Sequence, residues 1–145
     1  MKEVRLSHPS IFVLMVGLLG FALLTCSSGQ TSAQQEEAKG NVLITTRLDL
    51  DFSKHKVTFI ELGADRCIPC KAMQPIMKEV AKEYAGTIRV VFYDVWKDPE
   101  PARKYGIQLI PTQVFIDQNG KEIFRHVGLF PKEEILSMLK DKGIL

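Results

Sequence analysis

Two cysteines three residues apart, Cys67 and Cys70, stand between an apolar run and a stretch with helical periodicity. The run is Val57-Thr58-Phe59-Ile60-Glu61-Leu62. Its β-branched and aromatic residues suit a strand covered on both faces. The periodic stretch sets Met73, Ile76, Met77, Val80 and Tyr84 on one stripe and predicts a helix from Cys70 to about Tyr84. Pro69 suits the first helical turn, where its missing N–H has no partner to lose. The junction therefore puts both sulfurs at a helix N-terminus, where unpaired backbone N–H groups and the helix dipole favour an anion. A thiol so placed ionises more readily, and the thiolate is its reactive form. So short a loop cannot staple a fold. A zinc site needs about four ligands, and beyond the pair the chain offers only Cys26 and the scattered His8, His55 and His126. The expectation is a redox-active pair, with no metal and no cofactor. The methionine stripe reads as core packing.

Downstream, Ile88 to Val95 reads as a second strand, with Gly86 ending the helix before it. Asp98-Pro99-Glu100-Pro101 opens a short helix through Lys104, closed by Tyr105-Gly106. Thr112 to Ile116 is a strand, Asp117-Gln118-Asn119-Gly120 a hairpin turn, and Glu122 to Val127 the returning strand. Alternation there puts Ile123, Arg125 and Val127 on one face and Phe124 and His126 on the other. Lys132 to Lys142 is a closing helix. Upstream, Val42-Leu43-Ile44 and the alternating Leu48-Asp49-Leu50-Asp51-Phe52 predict an edge strand and a turn. His55, between two lysines, reads as a solvated loop residue, and His126 as structural or exposed. Trp96 either covers the edge of the active face or packs on the fold. The order gives a mixed α/β sheet with helices on both faces.

From about Val57 to Leu139 the chain resembles the thioredoxin family. Four marks carry the resemblance: Cys67-x-x-Cys70, Pro75 five residues later, Ile110-Pro111-Thr112, and Gly128 before a final helix. It implies the thioredoxin fold and thiol–disulfide exchange. Cys67 would attack a substrate disulfide, and Cys70 would resolve the mixed disulfide. Glu61, six residues before Cys67, matches a buried acid of the family and would serve Cys70 as a base; the alternative is a strand-edge carboxylate facing solvent. Pro111 would follow a cis bond and set Ile110 beside Cys67 to pair with an extended substrate, with Ile68, Pro69 and Gly128 completing the binding surface. Arg66 stands where the family usually has Trp, and Ile68-Pro69 where it has Gly-Pro. A cation at Arg66 favours a Cys67 thiolate and a more acidic substrate, partly offset by Asp65.

The first 26 residues read as a targeting segment, outside the fold. Lys2 and Arg5 precede an uncharged run of 14 residues, Ile11 to Leu24, short for a span of about 20. Leu23-Leu24-Thr25-Cys26 resembles a bacterial lipoprotein box, which makes Cys26 a lipid-attachment candidate. Cleavage near Thr31-Ser32-Ala33 and an uncleaved anchor are the other two outcomes. All three export the domain, membrane-tethered in two of them. Ser27 to Gly40 is a flexible linker whose 14 residues span roughly 20 Å. Residues 41–145 form one thioredoxin-like domain. Without Lys2, Arg5 and Glu3 the chain keeps 17 basic against 16 acidic residues, so no bulk charge suggests nucleic acid.

The expected function is an exported protein-disulfide reductase acting on protein disulfides. Its electrons would come from a membrane thiol donor. The alternatives are a disulfide oxidase or isomerase, or a thiol binding module or metallochaperone without turnover. The chain has no room between Cys70 and Pro111 for the helical insertion of one oxidase class. Lys71 after Cys70 excludes the C-x-x-C-H pattern of haem attachment.

Overall fold

The computed structural model describes residues 40–145. The expected targeting segment, Cys26 and the expected linker up to residue 39 lie outside the described residues. In chain order the elements are β1 (Leu43–Ile44), β2 (Val57–Gly63), α1 (Ile68–Glu83), β3 (Ile88–Asp94), α2 (Glu100–Lys104), β4 (Thr112–Asp117), β5 (Glu122–Val127) and α3 (Lys132–Asp141). The five strands form one sheet in the order β1-β3-β2-β4-β5. β1 and β2 run parallel to β3, whereas β4 runs antiparallel to β2 and to β5. This is the mixed sheet of a thioredoxin fold.

β2 lies at the centre of the sheet, and all of its residues are buried. Its odd-numbered residues face α1 and α3. There Val57 and Phe59 pack with Met73, Met77 and Val80 of α1 and with Ile135 and Leu139 of α3. Phe59 stacks on its cross-strand partner Phe115 at 4.8 Å between ring centroids. Burying one such side chain contributes about 1.5–3 kcal/mol. The even-numbered residues Ile60 and Leu62 join Val91, Tyr93, Val114 and Ile116 on the other face. Helix α2 covers that face, together with the segment from Leu48 to Phe52.

Leu43–Ile44 is the expected edge strand, and residues 48–52, which alternate as a half-buried strand does, form none. Their alternation is real: Leu48, Leu50 and Phe52 turn inward while Asp49 and Asp51 are exposed. The backbone bonds to side chains instead of to a ladder, with Tyr93 Oη donating to Arg47 O at 2.5 Å and Arg89 Nη1 to Asp51 O at 3.1 Å. Just beyond it, His55 is half-buried rather than solvated, and burial lowers its pKa.

Two other differences concern boundaries. Helix α1 starts at Ile68, earlier than its apolar stripe suggests, because Cys67 caps it and Pro69 occupies the first turn. Opposite the step from Phe115 to Ile116 in β4, β5 carries one extra residue, Ile123, which breaks the alternation. Ile123 therefore packs on the α1 face beside Phe124, while Arg125 stays on the other face and donates to Tyr105 O at 2.9 Å. The β4–β5 hairpin is tied by Asp117, whose Oδ1 accepts from Asn119 N and Lys121 N, both at 2.9 Å. His126 stacks on Phe130 at 4.2 Å.

Candidate active site

β2 ends at Gly63, and the chain turns through Ala64, Asp65 and Arg66 into α1. Cys67 N donates to Ala64 O at 3.2 Å, and Cys67 O accepts from Lys71 N at 3.0 Å. The Cys67 sulfur accepts from Cys70 N at 3.3 Å. A side chain thus caps the helix, and the capping atom is one of the two sulfurs. The two cysteines form a disulfide, with Cα atoms 5.2 Å apart. Cys67 keeps 8% of its surface exposed and Cys70 none. When the pair is reduced, the Cys70 N–H and the helix dipole favour negative charge on Cys67.

Ile110 packs against Ala64, Cys67 and Cys70. The Ile110–Pro111 bond is cis. Pro111 O accepts from Gly128 N at 2.8 Å, which fixes the turn after β5 to the start of β4. Gly128 has φ +103°, a conformation side chains rarely adopt. The fold therefore brings Cys67, Cys70, Ile110, Pro111 and Gly128 together. Pro69 is exposed and Ile68 is 82% exposed, both on the first turn of α1. Trp96, in the loop after β3, is 62% exposed. Ile68 at the start of α1, Leu109, Val127 at the end of β5 and Leu129 are also exposed apolar residues.

Glu61 is fully buried, which removes the solvent-facing alternative. It shares a face with Gly63, two residues on, and Gly63 lies directly under Cys70. A Cβ added at Gly63 would stand 3.2 Å from Cys70 Cβ and 3.3 Å from its sulfur. Among the described residues, neither carboxyl oxygen of Glu61 has a hydrogen-bond partner. Burial raises its pKa to about 8, and the neighbouring Gln113 amide pulls it down only in part, from outside hydrogen-bonding geometry.

Arg66 is exposed, and its expected counter-charge is engaged elsewhere. Asp65 ion-pairs with Lys97, which also meets Asp94 at 3.1 Å. Burial pushes the Asp94 carboxyl up. Hydrogen bonds from the Lys97 ammonium and from the N–H groups of Asp65, Lys97 and Trp96 outweigh this and leave it below its ordinary value. Asp94 thereby joins the turn before Cys67 to the loop after β3. Among the described residues no group of three or more His, Cys, Asp or Glu is placed to hold a metal ion.

The sequence reading omitted Gly63 and Gln113. A glycine inside an apolar strand run signals close approach by another group. A glutamine inside Thr112-Gln113-Val114-Phe115-Ile116 signals a buried polar side chain that needs partners. Both signals are visible in the sequence, but neither says which group is the neighbour.

The family described as a thioredoxin-like domain matches residues 52–143. Thioredoxin from Staphylococcus aureus is 32% identical over 94 residues, covering 63% of this chain and 89% of the relative. Among solved structures, a mutant thioredoxin from Halobacterium salinarum NRC-1 is similar in fold, with a TM-score of 0.63 at 24% identity over 71% of this chain and 91% of that one. Malassezia sympodialis thioredoxin gives 0.60 at 25% identity, with the same coverage of both chains.

Proposed function

The chain belongs to the thioredoxin-like family and is a disulfide oxidoreductase, and from that premise we propose that it reduces disulfides of exported proteins, with Cys67 attacking and Cys70 resolving. The observation that carries the assignment is the asymmetry of the pair: Cys67 caps the helix and retains exposed surface, while Cys70 has none.

The Cys67 thiolate attacks one sulfur of a substrate disulfide. A Cys67–substrate disulfide forms, and the other substrate sulfur leaves as a thiolate and takes up a proton. Cys70 then gives its proton to Glu61 and attacks the Cys67 sulfur. The Cys67–Cys70 disulfide forms and the second substrate thiolate is released. Two electrons pass from the pair to the substrate, and a dithiol donor in the membrane restores them by the reverse exchange. Glu61 suits the base role because its raised pKa brings its proton transfer into the neutral range.

The substrate segment lies along Ile110 and the exposed apolar residues around the pair, with Pro111 and Gly128 fixing the backbone it meets. Arg66 favours acidic residues beside the substrate cysteine. Export rests on the basic and apolar N-terminal segment, and tethering rests on Cys26.

The test is covalent trapping. Cys70→Ser should accumulate mixed disulfides with exported proteins and with the membrane donor, visible on non-reducing gels and identifiable by mass spectrometry. Cys67→Ser should accumulate none. The reverse pattern would exchange the two roles. The reduction potential of the purified protein separates a reductase from an oxidase.

A further inference from the structure

We infer that Gln113 is a positioning residue: its side-chain amide accommodates the Glu61 carboxyl in both protonation states and fastens it to the Gly128 turn beside the cysteines. Glu61 and Gln113 are direct cross-strand partners of β2 and β4. Directly opposed residues hold their Cβ atoms about 5 Å apart on the same face. Both residues are fully buried, and three of their oxygens, Glu61 Oε1, Glu61 Oε2 and Gln113 Oε1, lack a hydrogen-bond partner among the described residues. Orphaned polar atoms on adjacent buried side chains are costly unless they serve one another.

Gln113 Nε2 donates to Gly128 O at 3.0 Å. That uses one amide hydrogen and fixes the orientation of the group, since a carbonyl oxygen only accepts. One N–H and the amide oxygen remain. A protonated Glu61 donates its O–H to Gln113 Oε1, and an ionised Glu61 accepts from the second N–H. An apolar residue at this position offers neither, so Glu61 would change charge in a dry interior without a partner. The bond to Gly128 adds a second link. Gly128 N donates to Pro111 O and Gly128 O accepts from Gln113, so both polar groups of this residue are tied to β4 and the proline just before it.

Few other groups reach the same face. β3 presents Phe92 opposite Glu61, and α1 presents Cys70 and Met73. α3 contributes apolar Ile135 and Leu139. Titratable groups on this side include His126 of β5, which pairs with Gln113, stacks on Phe130 and has Nε2 3.2 Å from Leu129 O, and Tyr84, packed against the same core cluster.

The inference rests on Glu61 serving Cys70, and its experiment is independent of turnover. The Glu61 carboxyl carbon and the Gln113 side-chain amide protons are followed by NMR in the full chain, from neutral to alkaline pH. Both should move with one midpoint, and they should do so again in His126→Phe. In Gln113→Leu the Glu61 midpoint should rise by roughly 0.5–1 pH unit, because the amide that supports the carboxylate is gone. Gln113 resonances that stay flat, tracking that disappears in His126→Phe, or a Glu61 midpoint that stays or falls in Gln113→Leu each overturn the inference. If Gln113→Leu does not fold, the unmodified chain and His126→Phe decide. Should Glu61→Gln leave resolution by Cys70 unchanged, the base role fails, and the spectra still judge the Gln113–Glu61 link by itself.

Discussion

The Cβ that Gly63 lacks would sit 3.3 Å from the sulfur of Cys70 and 3.2 Å from the ring of Phe92. Both neighbours are buried, and Cys70 is held by the helix and the disulfide, so neither yields freely. Gly63→Ala gains some strand stability because its unfolded chain has less freedom to lose. Overpacking outweighs this, and a net loss of about 1–2 kcal/mol is expected in denaturant unfolding. Mixed disulfides should also resolve more slowly if Cys70, the displaced group, is the resolving cysteine as proposed. An unchanged midpoint with unchanged resolution would show that the pocket has room to spare.

Glu61 makes stability depend on pH in the sense opposite to an ordinary carboxylate. Its pKa is raised from 4.5 to about 8. The native state therefore keeps its proton where the unfolded chain has released it. The contribution is whole below the unfolded value and shrinks as pH rises toward 8, by up to about 5 kcal/mol in total. Glu61→Gln carries no such dependence. The variant should match the parent in acid and exceed it in stability at alkaline pH, by a few kcal/mol. Parallel stability–pH curves for the two proteins would rule out the proton held by Glu61.

The same carboxyl should govern the second chemical step. Resolution by Cys70 should quicken with pH and level off above about 8, as the carboxylate form fills. In Glu61→Gln, release of a preformed mixed disulfide should slow by about 10²–10⁴-fold, the range of general-base contributions. The first attack by Cys67 should change far less. Rapid mixing with a fluorescent mixed disulfide separates the two steps, and equal slowing of both removes Glu61 from the resolving step.

Arg66 should select on charge. With Asp65 held by Lys97, a substrate approaching Cys67 meets an exposed cation. Arg66→Glu should reduce the rate with a disulfide peptide flanked by Glu and raise it with one flanked by Lys, by about three- to tenfold each at low salt. High salt should erase most of the difference. Identical changes for both peptides would mean that Arg66 acts by shape.

Cys26 tests the tether. Expressed with its full N-terminus, the protein should partition with membranes, and Cys26→Ala should release it or leave it unprocessed. Intact mass showing a mature chain that begins at Gln34 would replace lipid attachment with ordinary cleavage.

Much of this architecture is legible along the chain because its causes are local. The burial of β2 follows from its own composition, and the helix mouth follows from Cys67, Pro69 and the stripe behind them. The site is less so. Gly63 and Gln113 matter because of what register and packing set beside them: Cys70 from a following helix, and Glu61 from a strand more than fifty residues away in sequence. Periodicity carries no information about such neighbours. It also misplaced Ile123, because one bulge reverses the faces of every residue on one side of it. In residues 48–52 alternation reports burial without pairing, since an inward-facing row does not by itself supply a ladder of backbone bonds.

The hairpin at Asp117–Gly120 has a practical use. β4 runs from Thr112, beside the active-site loops, to Asp117, opposite Val57 at the far end of the sheet. Gln118 and Asn119 are exposed at the hairpin tip, and side-chain and backbone bonds to Asp117 hold its base. Exposed loop tips of this kind tolerate modification well. A fluorophore or an affinity handle at Gln118 would sit a full strand length from the sulfurs, so the protein could be imaged or immobilised while its chemistry faces free solution.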